Sequence, residues 1–137
     1  MSFTWLKKLE SELNCCGVSY GDFFHLLSSA IVERKINFIG FLSDASRGLG
    51  FNVREGLFYL LDQDLDEPSE FNKVSFFIGD VESSSIPVPE FVRAMEVAVL
   101  TYVKEFNDEK DTVLDGLSKL ELRYSDFLNL EGGLCKI

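Results

Sequence analysis

The stretch GLFYLLDQDLDEPSEFNKVSFFI, residues 56–78, decides the fold expected for this 137-residue chain. Its first six residues form a short aromatic and aliphatic run, which is typical of a β-strand. Its last six residues alternate, with Val74, Phe76 and Ile78 on one face and Phe77 on the other, which is the pattern of a half-buried strand. The polar residues between the two runs predict a long hairpin loop, so the centre of the chain is expected to be an antiparallel pair of strands.

This connecting loop is strongly acidic and contains no base. Its carboxylates are Asp62, Asp64, Asp66, Glu67 and Glu70, and the following turn adds Asp80 and Glu82. Two interpretations stay open for these residues: a solvated loop that maintains solubility, or a protein-binding surface for a cationic cleft. Because a meander of two turns places them at opposite ends of a sheet, the two acidic groups are not assumed to merge.

The residues after the second strand predict a turn followed by helices. Residues 79–85 have the composition of a turn, and Ile86 is assigned to a third short strand. Pro89 suits the first position of a helix, and the apolar stripe that follows is Phe91, Met95, Ala98, Val99, Tyr102, Val103 and Phe106. A break at Asn107 or Asp108 leads to a further helix, whose inward side chains are Val113, Leu114, Leu117 and Leu120. For residues 121–137 a strand and an ordered tail both stay open.

Three amphipathic helices are expected before the sheet, because apolar residues recur there at helical spacing. They cover about 4–13, 22–35 and 37–47, and Ser19 or Asp22 is the expected N-cap of the second. Helices, a small sheet and then helices predict an α+β fold. In it, an antiparallel sheet of three or more strands packs against four to five helices as a single pair of layers.

Size and composition indicate one domain over residues 1–137, since neither a repeat nor a linker is visible. The first residues contain no apolar segment typical of a signal peptide, and no apolar run approaches the ~20 residues that span a membrane. Three cysteines, of which Cys15 and Cys16 are adjacent, do not resemble a disulfide framework. These features predict reduced thiols and a cytoplasmic protein.

The net charge of −10 is unevenly distributed along the chain. Residues 1–61 contain six acids and six bases, so the whole excess of ten negative charges lies in residues 62–137. Such a balance repels nucleic acid and anionic lipid. It attracts a basic partner, so a basic protein is the predicted ligand.

A calcium loop is one alternative for Asp62, Asp64 and Asp66. That pattern needs Gly at its sixth position and Glu at its twelfth, where this chain has Glu67 and Lys73. The mismatch disfavours calcium, and no metal or cofactor is expected.

Catalytic candidates are equally few. His25 is the sole histidine and is placed on the apolar side of its helix, and no histidine base accompanies the Cys15–Cys16 pair. No phosphate-binding glycine loop or zinc motif occurs. The sequence therefore predicts a protein without catalytic residues.

From about residue 19 to residue 120 the chain resembles bacterial contact-dependent growth inhibition immunity proteins, in particular those paired with ribonuclease toxins. The resemblance rests on an order of features along the sequence. These are Asp22-Phe23 and Ala30-Ile31 in one helix, Gly50-Phe51 before a strand, the acidic stretch 62–70, Val74-Ser75-Phe76 in a strand, and Pro89-Glu90-Phe91 opening a helix with Tyr102. The first 18 and the last 17 residues lie outside it.

The resemblance implies a protein that blocks the active site of a cognate toxin in the cytosol and carries no enzymatic residues. A ribonuclease cleft binds phosphates through cations, and carboxylates fit the same cleft and steer a fast encounter. The predicted contacts are Asp62, Asp64, Asp66, Glu67, Glu70, Asp80 and Glu82, and homo-oligomerisation is left open. Two alternatives remain: an acidic adaptor or regulatory subunit of a larger bacterial assembly, and a small metal-dependent enzyme.

Overall fold

The computed structural model describes residues 4–15 and 20–128 of the chain. The helices are α1 (Thr4–Cys15), α2 (Phe23–Val32), α3 (Phe38–Ser46), α4 (Val88–Glu105) and α5 (Lys110–Arg123). The strands are β1 (Phe51–Arg54), β2 (Leu57–Leu60), β3 (Lys73–Ile78) and β4 (Val81–Pro87). Short 3-10 turns lie at Asp62–Asp64, Pro68–Glu70 and Asn107–Glu109. The predicted α+β class is thereby confirmed.

The four strands form one antiparallel meander in the order β1-β2-β3-β4. The loop between β2 and β3 lies at one end of this sheet. At the other end, the backbone amide of Gly79 donates a hydrogen bond of 2.6 Å to the carbonyl of Gly56, which brings the β1–β2 and β3–β4 turns together. Successive loops of the meander therefore lie at opposite ends, as the sequence predicted.

One face of the sheet packs against the helices through a cluster of aromatic rings. The ring of Tyr59 lies 5.6 Å from that of Phe41 in α3 and 5.8 Å from those of Phe76 in β3 and Phe91 in α4. Phe23 of α2 meets Phe91 edge to face at 5.9 Å. Offset and edge-to-face pairs stabilise beyond the area they bury, so these rings determine how three helices are placed on the sheet.

The apolar stripes predicted for the helices are largely buried. In α1 the buried side chains are Trp5, Leu6, Leu9 and Leu13; in α4 they include Phe91, Met95, Ala98, Val99 and Tyr102; in α5 they are Val113, Leu117 and Leu120. Val103, Phe106 and Leu114 are only partly buried against this core. Periodicity identified the core faces of the helices because one helical stripe had to be removed from water.

The strand assigned to Ile86 is present as β4, but it begins at Val81, so residues 81–85 form most of a strand and are not a turn. β1, which precedes β2, is a further strand that the sequence did not predict. In β4 the side chains of 81–83 and Ser85 are exposed, because β4 is an edge strand of the sheet. An edge strand with both faces partly in water lacks the apolar alternation on which the prediction depended.

Several predicted details are also wrong. Ile78 is 37% exposed although Val74 and Phe76 are buried, because it ends β3 beside the turn. Helix α2 ends at Val32 and not at Lys35, since Arg34 adopts a left-handed φ of 61° and the amide of Lys35 bonds back to the carbonyl of Ala30. This is a Schellman-type end without its usual glycine, so the sequence gave no stop signal.

At the start of α2, Asp22 occupies the N-cap position but makes no side-chain capping bond. Its carboxylate instead accepts a hydrogen bond of 2.6 Å from the hydroxyl of Ser84 in β4. His25 is exposed and does not lie on the apolar face. The predictions for Cys16, Ser19 and residues 129–137 lie outside the described residues.

Within residues 4–15 and 20–128, no helix combines the length and the apolar character that crossing a membrane requires.

Replacing Phe76 by Ala should lower the free energy of unfolding by about 3–5 kcal/mol, because the side chain is only 1% exposed and its removal leaves a cavity in the aromatic cluster. Phe77→Ala is the matched control, since the ring of Phe77 points to the opposite face of the sheet and is only partly buried. Urea unfolding of both variants should rank Phe76→Ala as the larger loss. A loss under about 1 kcal/mol for Phe76→Ala would contradict this packing.

Candidate partner-binding site

The acidic loop between β2 and β3 is tied to the end of α5 by the carboxylate of Asp62. It accepts hydrogen bonds from Arg123 Nη2 at 2.7 Å and from the hydroxyl of Tyr124 at 2.7 Å. The side chain of Asp62 is 16% exposed and that of Arg123 is 30% exposed, so the pair is partly shielded from water. An ion pair with two short, charge-assisted bonds fixes geometry better than an isolated surface pair does.

The same contacts determine the protonation of both side chains. Burial raises the pKa of Asp62, but hydrogen bonds from Arg123, Tyr124 and Gln63, with the charge of Arg123, lower it further, so the pKa lies below its ordinary value. Burial and the hydrogen bond to Asp62 raise the pKa of Tyr124 well above its usual range. At neutral pH the carboxylate is therefore charged and the phenol keeps the proton that it donates.

Asp64 is exposed, yet its carboxylate fixes the first turn of the loop. Its Oδ2 accepts hydrogen bonds from the backbone amides of Gly50 at 2.6 Å and Leu61 at 2.9 Å. Only glycine fits at position 50, because a Cβ there would overlap the carbonyl oxygen of Tyr59. The carboxylate thus joins the loop to the segment that leads from α3 into β1.

Gly48 completes this junction. It has a φ of 81°, which favours glycine, and its carbonyl accepts a bond of 2.9 Å from the amide of Gln63. A Cβ at this position would come within 2.5 Å of Arg123 Nη2, so the guanidinium lies directly against the bare backbone. The α3–β1 segment, the acidic loop and the end of α5 therefore meet at Arg123.

The other three carboxylates of the loop have a different environment. Asp66, Glu67 and Glu70 are exposed, and within the described residues none of them makes a side-chain hydrogen bond or ion pair. The turn at Pro68–Glu70 orders the backbone that carries them, with the amide of Glu70 bonded to the carbonyl of Glu67 at 2.9 Å. They are uncompensated charges on a backbone that is fixed at its start.

The structure places the last two predicted contacts elsewhere. Asp80 lies in the β3–β4 turn, at the opposite end of the sheet, with a φ of 67°. Glu82 lies near the start of β4, just after that turn, and its carboxylate forms an ion pair with Lys73 at 3.5 Å. The seven predicted contacts therefore divide into two anchors, three exposed loop carboxylates and a distant pair, and their role in partner binding stays a prediction.

A shallow groove of about 470 Å³ borders the acidic loop. It is lined by Asp62, Pro68, Ser69, Phe71, Arg123, Tyr124 and Phe127. The ring of Phe71 lies 5.8 Å from those of both Tyr124 and Phe127. Sequence reasoning missed Arg123 and Tyr124, because they lie 61 and 62 positions from Asp62 and carry no local sign that they will meet it.

The described residues contain no group of three or more His, Cys, Asp or Glu side chains arranged to hold a metal ion. Asp62 and Asp64, the first two residues of the calcium-like pattern, direct their oxygens at a guanidinium, a phenol and two backbone amides. A cation at Asp62 would compete with Arg123 and Tyr124 for the same carboxylate.

Asp62→Asn should lower the free energy of unfolding at pH 7 by about 1.5–3 kcal/mol, the range for a hydrogen bond to a charged group. The folded pKa of Asp62 is depressed, so its contribution is fully present above the unfolded value of about 3.9 and is lost as pH falls through the folded value. Urea unfolding from pH 7 to pH 2 should therefore show the two proteins converging in acid. Asp66→Asn is the control, since that side chain has no partner in the described residues; equal effects of the two changes would contradict the anchoring role.

Gly50→Ala should destabilise the protein markedly, because the new methyl group would overlap the carbonyl oxygen of Tyr59. It would also displace the backbone amide that donates a hydrogen bond to Asp64. Adding a carbon where the space is already filled typically costs about 1–3 kcal/mol. Gly79→Ala is a useful comparison because its Cβ would meet nothing within 4 Å, although its φ of 68° is itself strained. Thermal melting that leaves Gly50→Ala as stable as wild type would refute the close approach.

Comparison with known proteins gives no assignment beyond this geometry. The resemblance to immunity proteins stays a prediction carried by the residues between 19 and 120. No known family, no curated protein and no solved structure matches the chain.

Proposed function

We propose that this chain is an immunity protein that binds a basic nuclease toxin, in the first instance a ribonuclease, and covers its cationic active-site cleft. The order of features between residues 19 and 120 and the negative excess in 62–137 support this proposal. In it the protein acts stoichiometrically in the cytoplasm, where toxin and RNA meet, and it has no catalytic role.

The observation that carries the proposal is that the carboxylates of the acidic loop have two different roles. Asp66, Glu67 and Glu70 are exposed without partners in the described residues, while Asp62 and Asp64 fix the loop that presents them. A binding loop that is already ordered loses less conformational entropy on association, so more of its interaction energy appears as affinity. Three carboxylates on such a loop can replace three phosphates in a nuclease cleft.

The groove beside the loop supplies what charge alone does not. Interface residues that contribute most to affinity sit in desolvated pockets surrounded by a polar rim. Phe71 and Phe127 form apolar walls there, and Glu70 directly precedes Phe71 in the chain. A lysine or arginine of the toxin can lay its aliphatic stem on these rings while its cation meets Glu67 or Glu70.

The test neutralises the three exposed carboxylates together, as Asp66→Asn, Glu67→Gln and Glu70→Gln. The fold should hardly change, because surface changes usually stay within about 0.5 kcal/mol. Affinity for the cognate toxin domain should fall, by about 2–5 kcal/mol for each carboxylate that is desolvated against a cation. At about 1.4 kcal/mol per decade, the larger value exceeds a thousandfold. Rim charges should mainly slow association and flatten its salt dependence.

A matched control removes three exposed carboxylates elsewhere, through Glu10→Gln, Glu55→Gln and Asp108→Asn. Both triple variants change the net charge from −10 to −7, so any difference between them depends on position. Affinity at two salt concentrations and protection of cells that express the toxin are the readouts. If the loop variant protects cells and binds as the control does, the acidic loop is not the contact and the proposal fails.

A further inference from the structure

The face of the sheet that points away from the helices carries an unexplained pair of aromatic rings. Helices reach the sheet through Tyr59, Val74 and Phe76, all of which are buried. Phe58 and Phe77 alternate with these residues and so point to the opposite face, where both remain only partly buried. Within the described part of the chain, each makes its sole ring contact with the other. We call this side the outer face.

The two rings form an ordered apolar platform. Phe58 and Phe77 are directly opposite each other in the β2–β3 register, with centroids 4.7 Å apart and planes inclined by 6°. Leu60, also partly buried, follows on the same face of β2. The pair contributes to strand pairing, but strand pairing alone does not require two large rings to remain at the surface.

The charges around this platform are balanced. Lys73 shares the outer face with Phe77 by alternation, and Glu82 lies opposite Phe77 in the register. Lys73 and Glu82 form an ion pair at 3.5 Å. Their side chains are 52% and 41% exposed, so either can exchange its partner. The outer face is therefore close to neutral on a protein whose net charge is −10.

This balance indicates which partner fits. Two copies of a strongly acidic chain repel each other over most of their surfaces, and a basic ligand is drawn to the uncompensated carboxylates. A neutral apolar face with one cation and one anion is complementary to itself. Under a two-fold axis, Lys73 of one protomer can meet Glu82 of the other in both directions.

We propose that the outer face joins two copies of this chain, with the Phe58–Phe77 pairs in contact and the Lys73–Glu82 pairs exchanged between protomers. The residues of the four strands (Phe51–Arg54, Leu57–Leu60, Lys73–Ile78 and Val81–Pro87), with about 4.8 Å between strands and about 3.4 Å per residue, give a face of roughly 340 Å² per copy. That area is smaller than a standard specific interface, so the dimer is weak and forms in a concentration-dependent way. The acidic loop starts where β2 ends and stays available to another partner.

Sedimentation velocity of the full chain at concentrations up to about 1 mM, the weak end of specific association, tests the proposal. Wild type should shift from monomer towards dimer as concentration rises, and Phe58→Thr/Phe77→Thr should stay monomeric with an unchanged circular dichroism spectrum. Leu100→Gln is the control, because it removes a side chain that is 55% exposed on α4, and it should dimerise as wild type does. A wild type that stays monomeric throughout overturns the proposal, as does a double variant that dimerises normally.

A charge reversal tests the exchanged pairing and does not depend on removing the rings. Lys73→Glu alone and Glu82→Lys alone should each weaken self-association, because each places like charges across the two-fold axis. Mixed in equal amounts, the two variants should associate as a heterodimer at least as well as wild type. A mixture that remains monomeric overturns the proposed pairing, and toxin binding that is lost only in the phenylalanine variant would assign the outer face to the toxin.

Discussion

The hydrogen-bonded ion pair between Asp62 and Arg123 is the contact on which the arrangement around the acidic loop depends. It closes the connection after β2 onto the end of α5, and Tyr124 adds a second bond to the same carboxylate. Arg123 lies against Gly48 at the same time, so the segment after α3 is included in the junction. Three segments that are distant in sequence are thus positioned by one guanidinium.

This junction separates carboxylates that are satisfied from carboxylates that are not. Asp62 and Asp64 bond to a cation, a phenol and backbone amides, and they are part of the fold. Asp66, Glu67 and Glu70, on the following turns, remain exposed. Because like charges close together repel one another, such a loop stores unfavourable electrostatic energy that a cationic partner would relieve. The outer face differs from the loop in this respect, because Lys73 and Glu82 already neutralise each other there.

Much of the fold could be predicted from the sequence. The stripe from Phe91 to Tyr102 and the alternation of Val74 and Phe76 both identified buried faces, because helices and strands each impose a period on the residues they bury. Only the end of β4, at Ile86, was predicted, because most of this exposed edge strand carries no such period. The end of α2 was misplaced because Arg34 adopts a left-handed conformation that the sequence usually marks with glycine.

For the candidate site, the sequence by itself determined its charge and its position in the chain: an acidic, base-free loop between two strands in the half that holds all the excess negative charge. Only the tertiary structure decided which of those carboxylates are available. Asp62 and Asp64 look like Asp66 in the sequence. In the structure, however, Asp62 accepts hydrogen bonds from Arg123 and Tyr124, and Asp64 accepts one from the amide of Gly50. The position of Asp80 at the far end of the sheet follows from strand order. The physical reason is that charge is a property of the residue, whereas its compensation depends on which distant groups the chain brings within hydrogen-bond distance.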